Sequence, residues 1–171
     1  MFAVTAPLHM RLASVDDLDF FQRLYATTRD ELKQLGLAPA QFAELLLSQQ
    51  KIQEHGVRMT YPQAQQWTIY LHDVASQTST DIGRLIVDFS DNDWRIVDIA
   101  IMPDHRNQGW GSQVMQAVMA QARLTQGTVS LAVMRFNLQA LALYTRLGFA
   151  PSKHDTIHAQ MIWRSVSLAE A

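Results

Sequence analysis

The order of patterns along this chain predicts a mixed α/β (α+β) fold, with about seven strands in one central sheet and helices on both faces. Three observations carry it. Two alternating runs, residues 67–74 and 81–89, flank a Ser/Thr-rich turn and read as a hairpin. A β-branched, apolar run at 97–102 passes through Pro103 and Asp104 into a glycine-bearing loop and then a helical pattern. A second apolar run, 129–134, leads into a helix that opens at Asn137 and stops at Gly148.

The elements follow in order. Residues 8–13 read as a first strand, and Ser14 with Asp17 caps a helix that carries Leu18, Phe21, Leu24 and Tyr25 on one face. Pro39 opens a second helix whose apolar positions Phe42, Leu45, Leu46 and Ile52 run toward His55 and Gly56, before Tyr61 and Pro62. After the hairpin, residues 94–102 complete a meander. The helix at 113–123 places Val114, Met115, Val118 and Met119 in the core. A last strand pair is expected at 149–152 and 159–166, with His154, Asp155 and Thr156 in its turn. No linker, repeat or low-complexity segment interrupts the chain, so residues 1–171 are expected to form one domain.

Composition narrows the function. A chain of 171 residues that is 48% hydrophobic can bury one sizeable core. A formal charge of -2 supplies no basic field, so neither nucleic acid nor an anionic membrane is expected as a partner. The absence of cysteine excludes disulfides and thiolate metal sites and fits a cytoplasmic protein. Residues 1–11 lack the pattern of a signal peptide, and no apolar run reaches the roughly 20 residues of a membrane span. His154 and His158 have the spacing of a helical metal pair but fall where a strand is expected, with no third ligand nearby. No metal is expected.

The most informative stretch is Arg106, Asn107, Gln108, Gly109, Trp110, Gly111 and Ser112, between a strand and a helix. The first free amides of a helix and its dipole welcome an anion. Gly109 and Gly111 let the backbone approach closely, and Arg106 adds a charge. The same residues also suit an ordinary strand-to-helix turn. Downstream, Asn137, Ala140, Tyr144, Gly148 and Phe149 form the spacing Asn-x-x-Ala-x-x-x-Tyr-x-x-x-Gly-Phe. Together, in this order, the two segments resemble the GNAT superfamily, the Gcn5-related N-acetyltransferases, over residues 94–150. The earlier chain is similar to one bacterial GNAT subgroup, through residues 28–34 and 50–62.

That resemblance implies acetyl-coenzyme A as the acyl donor, with no metal. The amides of Asn107 to Ser112 would take its pyrophosphate. The main chain of Ile99, Ala100 and Ile101 would lie along the pantetheine, in a splay between the strands at 94–102 and 128–134. Asn137 would touch the pantetheine arm as well as capping its helix, and Tyr144 would act as general acid toward the leaving thiolate. A buried aromatic holding helix to sheet is the structural alternative for Tyr144. Trp110 is expected to pack against the sheet rather than stack on adenine.

The implied chemistry is direct attack of a primary amine, of a small molecule or a peptide, on the thioester. The base departs from the family pattern, because Leu131, Ala132, Val133 and Met134 offer no ionisable group. Asp98 is the nearest candidate, sharing a strand face with Ala100 and Met102 opposite Val97, Ile99 and Ile101. A salt bridge from Asp98 to Arg95 or Arg84 and a water relay are the alternatives. The acceptor region would include Tyr25, Arg29, Glu31, Gln49, Tyr61, His154 and His158. A sheet edge at the last strand would favour a homodimer. The missing strand carboxylate also fits a non-catalytic acyl-coenzyme A sensor of the same fold.

Overall fold

The computed structural model describes residues 2–29, 32, 34–89, 91–154 and 156–165. Glu31, Asp155 and Val166, each used in the reading above, lie outside them, as does the side chain of His154. Seven strands form one sheet: β1 (Leu8–Leu12), β2 (Gln65–Asp73), β3 (Thr78–Asp88), β4 (Asp93–Ile101), β5 (Thr128–Met134), β6 (Ala150–His154) and β7 (His158–Arg164). Their order across the sheet is β1-β2-β3-β4-β5-β7-β6. All neighbours are antiparallel except β4 and β5.

Among the described residues four α-helices cover the two faces: α1 (Leu18–Ala26), α2 (Pro39–Thr60), α3 (Trp110–Leu124) and α4 (Leu138–Arg146). The larger core lies under α3 and α4, where Val114, Met115, Val118 and Tyr144 meet Leu85, Val87, Ile96 and Leu131. On the opposite face Phe20, Phe21 and Leu24 of α1 pack with Ala13, Ala100 and Met102. Helix α2 differs from the rest, since Gln50 is its single buried residue among those described. It continues past Gly56. Gly56 adopts ordinary helical geometry, and the helix runs one further turn to Thr60.

The turn into α1 is held by charge. Asp17 accepts from the Ser14 amide at 2.7 Å, and the Ser14 hydroxyl accepts from the Asp16 amide at 3.2 Å. This caps a short 3-10 turn, Val15–Asp17, so α1 proper begins at Leu18. The buried face is consequently Phe20, Phe21, Leu24 and Tyr25, while Leu18, expected inside, stays exposed. Arg11 closes the arrangement with two bonds to Asp17, at 2.6 and 2.7 Å, and two to Asp81, at 3.2 and 3.3 Å.

Strand β4 carries one extra residue. Asp98 is opposite Ile86 and Ile96 is opposite Val87, which leaves Val97 bulged out of the ladder. Parallel pairing with β5 runs from Asp93 and Thr128 to Ile96 and Leu131 and ends there. The bulge and the parting of the two strands therefore coincide. Beyond it the expected alternation holds: Ile99 and Ile101 pack with the larger core, and Ala100 and Met102 with the smaller one. Before it the phase is shifted by one, and Ile96 also reaches the larger core. Opposite this segment, Gly83 has no room for a side chain, because a Cβ there would lie 2.6 Å from the Ala100 carbonyl oxygen.

The hydrogen bonds from Arg11, ahead of the opposing effect of burial, hold the Asp17 carboxyl down at about 2. A depressed acid stabilises the fold above its ordinary value, and that contribution disappears as pH falls from about 4 to about 2. Asp17→Asn is expected to cost about 1–3 kcal/mol in urea unfolding at neutral pH. The variant should also lose less stability than the parent over that acid interval.

Candidate active site

One cleft of about 920 Å3 follows the parting of β4 and β5. Ile99, Ala100 and Ile101 form its floor, the N-terminus of α3 one end, and Asn137 and Tyr144 of α4 its far wall. Met102 donates its amide to the Ile82 carbonyl at 2.8 Å, so alternation directs the main-chain groups of Ile99 and Ile101 away from β3, toward the gap. An open strand edge inside a protein is what an extended amide chain can pair with.

At the α3 end, Asn107 and Gly109 both take left-handed backbone angles, with φ of 60° and 88°. Gly109 is the N-cap, and α3 starts at Trp110, not near Ser112 as its sequence pattern suggested. The left-handed glycine turns the chain so sharply that Trp110 and Gly111 already lie in the first turn. The first amide to close a helical bond is that of Gln113, onto the Gly109 carbonyl at 3.1 Å. The amides of Trp110, Gly111 and Ser112 are left for a ligand. A Cβ on Gly109 or Gly111 would meet nothing within 4 Å, so the space beside those amides is clear. The arrangement can hold an anionic group.

The side chains of the loop are engaged with the protein. Arg106 donates from Nε to the Ile101 carbonyl at 2.8 Å and from Nη2 to Thr27 Oγ1 at 3.5 Å, so it bridges the cleft floor to the end of α1. Gln108 is outside the cleft lining. It braces the loop by donating to the Asp104 carbonyl at 2.9 Å and accepting from Trp110 Nε1 at 3.2 Å. Trp110 both lines the cleft and packs on the larger core. Gln139 donates to the Asn107 side-chain oxygen and ties the loop to α4. Asn137 caps α4, accepting from the Ala140 amide at 3.1 Å.

Tyr144 lies in the cleft wall with its ring 5.8 Å from Phe149, and 7% of its surface is exposed. Burial, and then the negative charge of Asp98, push its hydroxyl up to about 12. It is a neutral donor throughout the physiological range. Asp98 lies on the α1 side of the parting and outside the cleft lining. Its Oδ2 accepts from Arg84 Nη2 at 2.6 Å and Nε at 3.0 Å. Of the two possible bridges the structure forms this one. Arg95 lies before the bulge and bonds Ser130 and Gln160 instead.

Several lining residues had no sequence signal: Thr27 at the end of α1, His105, Gln139 and Arg146. They belong to elements whose own patterns report only local structure. On the acceptor side, Arg29 is committed to Tyr25, with its guanidinium carbon 4.6 Å from the ring centre and Nε 3.1 Å from the hydroxyl. Tyr61 lines a separate cleft beside α1.

Residues 46–149 match the acetyltransferase (GNAT) family. The chain belongs to that family. Its fold is shared with the PaiA N-acetyltransferase of Thermoplasma acidophilum, solved in complex with coenzyme A, at 14% identity and a TM-score of 0.66 over 92% of this chain and 98% of that one. The spermidine N-acetyltransferase of Vibrio cholerae, solved with coenzyme A and spermine, is similar at 16% identity and a TM-score of 0.65 over 94% and 97%. A ribosomal L7/L12 alpha-N-protein acetyltransferase in complex with coenzyme A is similar at 14% identity and 0.65 over 96% and 97%. No curated protein matches by sequence.

The two loop glycines differ in what they tolerate. Gly109→Val forces a β-branched residue into φ 88° and is expected to lower unfolding free energy by about 1–3 kcal/mol. Gly111→Ala, in helical geometry with open space around its Cβ, should leave stability unchanged or raise it by up to about 1 kcal/mol. Urea titration of both variants measures the contrast.

Proposed function

We propose that this GNAT protein is an N-acetyltransferase, a single domain that moves acetyl from acetyl-coenzyme A to the primary amine of a small molecule or peptide by direct attack. The observation that carries the reading is one cleft that joins the free amides of α3, the open edge of β4 and the hydroxyl of Tyr144. The groups fit the donor. Clear space beside Gly109 and Gly111 suits a pyrophosphate, and the gap-facing main chain of Ile99 and Ile101 suits an extended amide arm. Acetyl-coenzyme A supplies the thioester.

The chain's own residues then have defined tasks. The amides of residues 107–112 hold the diphosphate, the β4 edge sets the arm's register, and Asn137 borders it. Tyr144 donates to the sulfur as negative charge grows there, and its raised pKa keeps that proton available. In the net reaction the amine nitrogen bonds the acetyl carbon and the carbon–sulfur bond breaks. Of the two protons lost by an ammonium, one ends on sulfur and the other passes to water or a base. Asp98 is the candidate base, acting directly or through water, with Arg84 fixing its position. A non-catalytic acyl-coenzyme A sensor is the second reading, favoured by the engagement of Asp98 in that ion pair.

Calorimetric titration with acetyl-coenzyme A is expected to show one saturable site. Gly111→Leu should weaken it by at least about 10-fold, equivalent to ~1.4 kcal/mol, without loss of fold. Unchanged affinity would remove the loop from the site. Tyr144→Phe is expected to lower kcat about 100-fold and leave donor affinity intact, with thiol release as the readout. Because the tyrosine pKa is raised, its proton is lost only as pH climbs toward about 12. A Tyr144-dependent fall in rate near neutrality would contradict the assignment. Saturable binding with no thiol release across a broad amine panel would select the sensor.

A further inference from the structure

The α1 face of the sheet carries a second cleft of about 510 Å3, between the start of α1, the C-terminal half of α2 and strand β3. We infer that it seats the acceptor, and that the acceptor is a free α-amino acid with an apolar side chain. Its carboxylate lies on Arg84, and its side chain lies against Leu18, Phe21, Val57 and Ile86. This inference rests on the acetyltransferase reading above.

Arg84 is the centre of the argument. It lines the cleft although only 5% of it is exposed, and none of its nitrogens is a buried, unpartnered atom among the described residues. Nε and Nη2 both serve Asp98 Oδ2. Nη1 makes no hydrogen bond among the described residues, and a planar fork with a spare donor is a natural carboxylate seat.

Charge balance selects a zwitterion. Arg58 and Glu54 also line the cleft, and Arg84 is neutralised by Asp98, so the lining carries no excess of either sign. A polyamine would bring several positive charges to a site that offers no matching surplus. An α-amino acid brings one of each.

Reach fixes where the amine must be. Arg84 is the cross-strand partner of Ala100, which lines the donor cleft. The two clefts thus meet at adjacent strands, and a short ligand with its amine and carboxylate on one carbon keeps both groups near that junction. The walls account for the rest of the ligand. Val15 and Leu18 are 79% and 51% exposed on the cleft rim, apolar surface that neither core uses. The reaction loses the ammonium charge and leaves an anionic N-acetyl amino acid, which no longer balances the cleft and is released.

The test has two readouts. L-leucine and L-phenylalanine, and their decarboxylated counterparts isopentylamine and phenethylamine, are titrated into coenzyme A-saturated protein. The same compounds and spermidine are then assayed for thiol release from acetyl-coenzyme A. The amino acids are expected to bind and to exceed the decarboxylated amines at least about 10-fold in kcat/KM, the scale of one charge-assisted bond. Val57→Trp, which fills the apolar wall from α2, should raise the amino-acid KM about 10-fold or more with donor affinity unchanged. Arg84→Lys, which keeps the charge and loses the fork, should shrink the preference for the carboxylate. Equal or better use of the decarboxylated amines or of spermidine, an unaltered KM in Val57→Trp, or no binding of the amino acids would overturn the inference. Thiol release confined to amines without a carboxylate would sink the ligand class and keep the transferase. Amino-acid binding without thiol release would do the reverse.

Discussion

Beyond Ile96 the edges of β4 and β5 face one another with no ladder between them. A buried strand edge normally pairs, because an unsatisfied amide or carbonyl costs as much as a lost hydrogen bond. Here the Val97 bulge ends the pairing, and the gap it opens becomes the cleft. The nearby polar groups are arranged around that gap: Arg106 takes the Ile101 carbonyl, and Gln139 joins the loop to α4 on its other side. Gly83 lets β3 lie close enough to hold the freed part of β4 from behind. The direction of the chain at this point comes from packing on both faces, with Ile99 and Ile101 in one core and Ala100 and Met102 in the other.

The gap also couples the two sides of the sheet electrically. Asp98 belongs to the α1 face and Tyr144 to α4, yet the carboxylate contributes to holding the phenol neutral. Arg84 limits that field by pairing with its source. Three residues from three elements thus meet across the sheet at one place.

Much of this was readable from residues alone, for identifiable reasons. The strand, glycine loop and helix were legible because glycine and proline punctuate the chain, and Asn137 and Gly148 announced both ends of α4. What escaped depended on partners remote in sequence. The Val97 bulge is set by strand register, and valine carries no mark of it. Phe20 replaced Leu18 in the buried face because the Ser14 and Asp17 cap delays the helix by a short 3-10 turn. The bulge puts Arg95 on the face of Asp98 as well, yet Arg95 bonds Ser130 and Gln160 across the sheet and leaves Asp98 to Arg84. Gln139 and Thr27 enter the cleft from elements whose periodicity reports packing and nothing of the gap.

The 22-residue helix α2, with Gln50 its one buried residue among those described, has a consequence for how such a protein can change. Surface positions of this kind usually tolerate substitution within about 0.5 kcal/mol, whereas the floor of the donor cleft is shared with two packed cores. Residues 53–61 therefore form a wall that can be rewritten almost independently of folding. Where that wall borders the inferred acceptor seat, single substitutions along one helix would alter what the cleft admits while the packed residues across the sheet stay fixed.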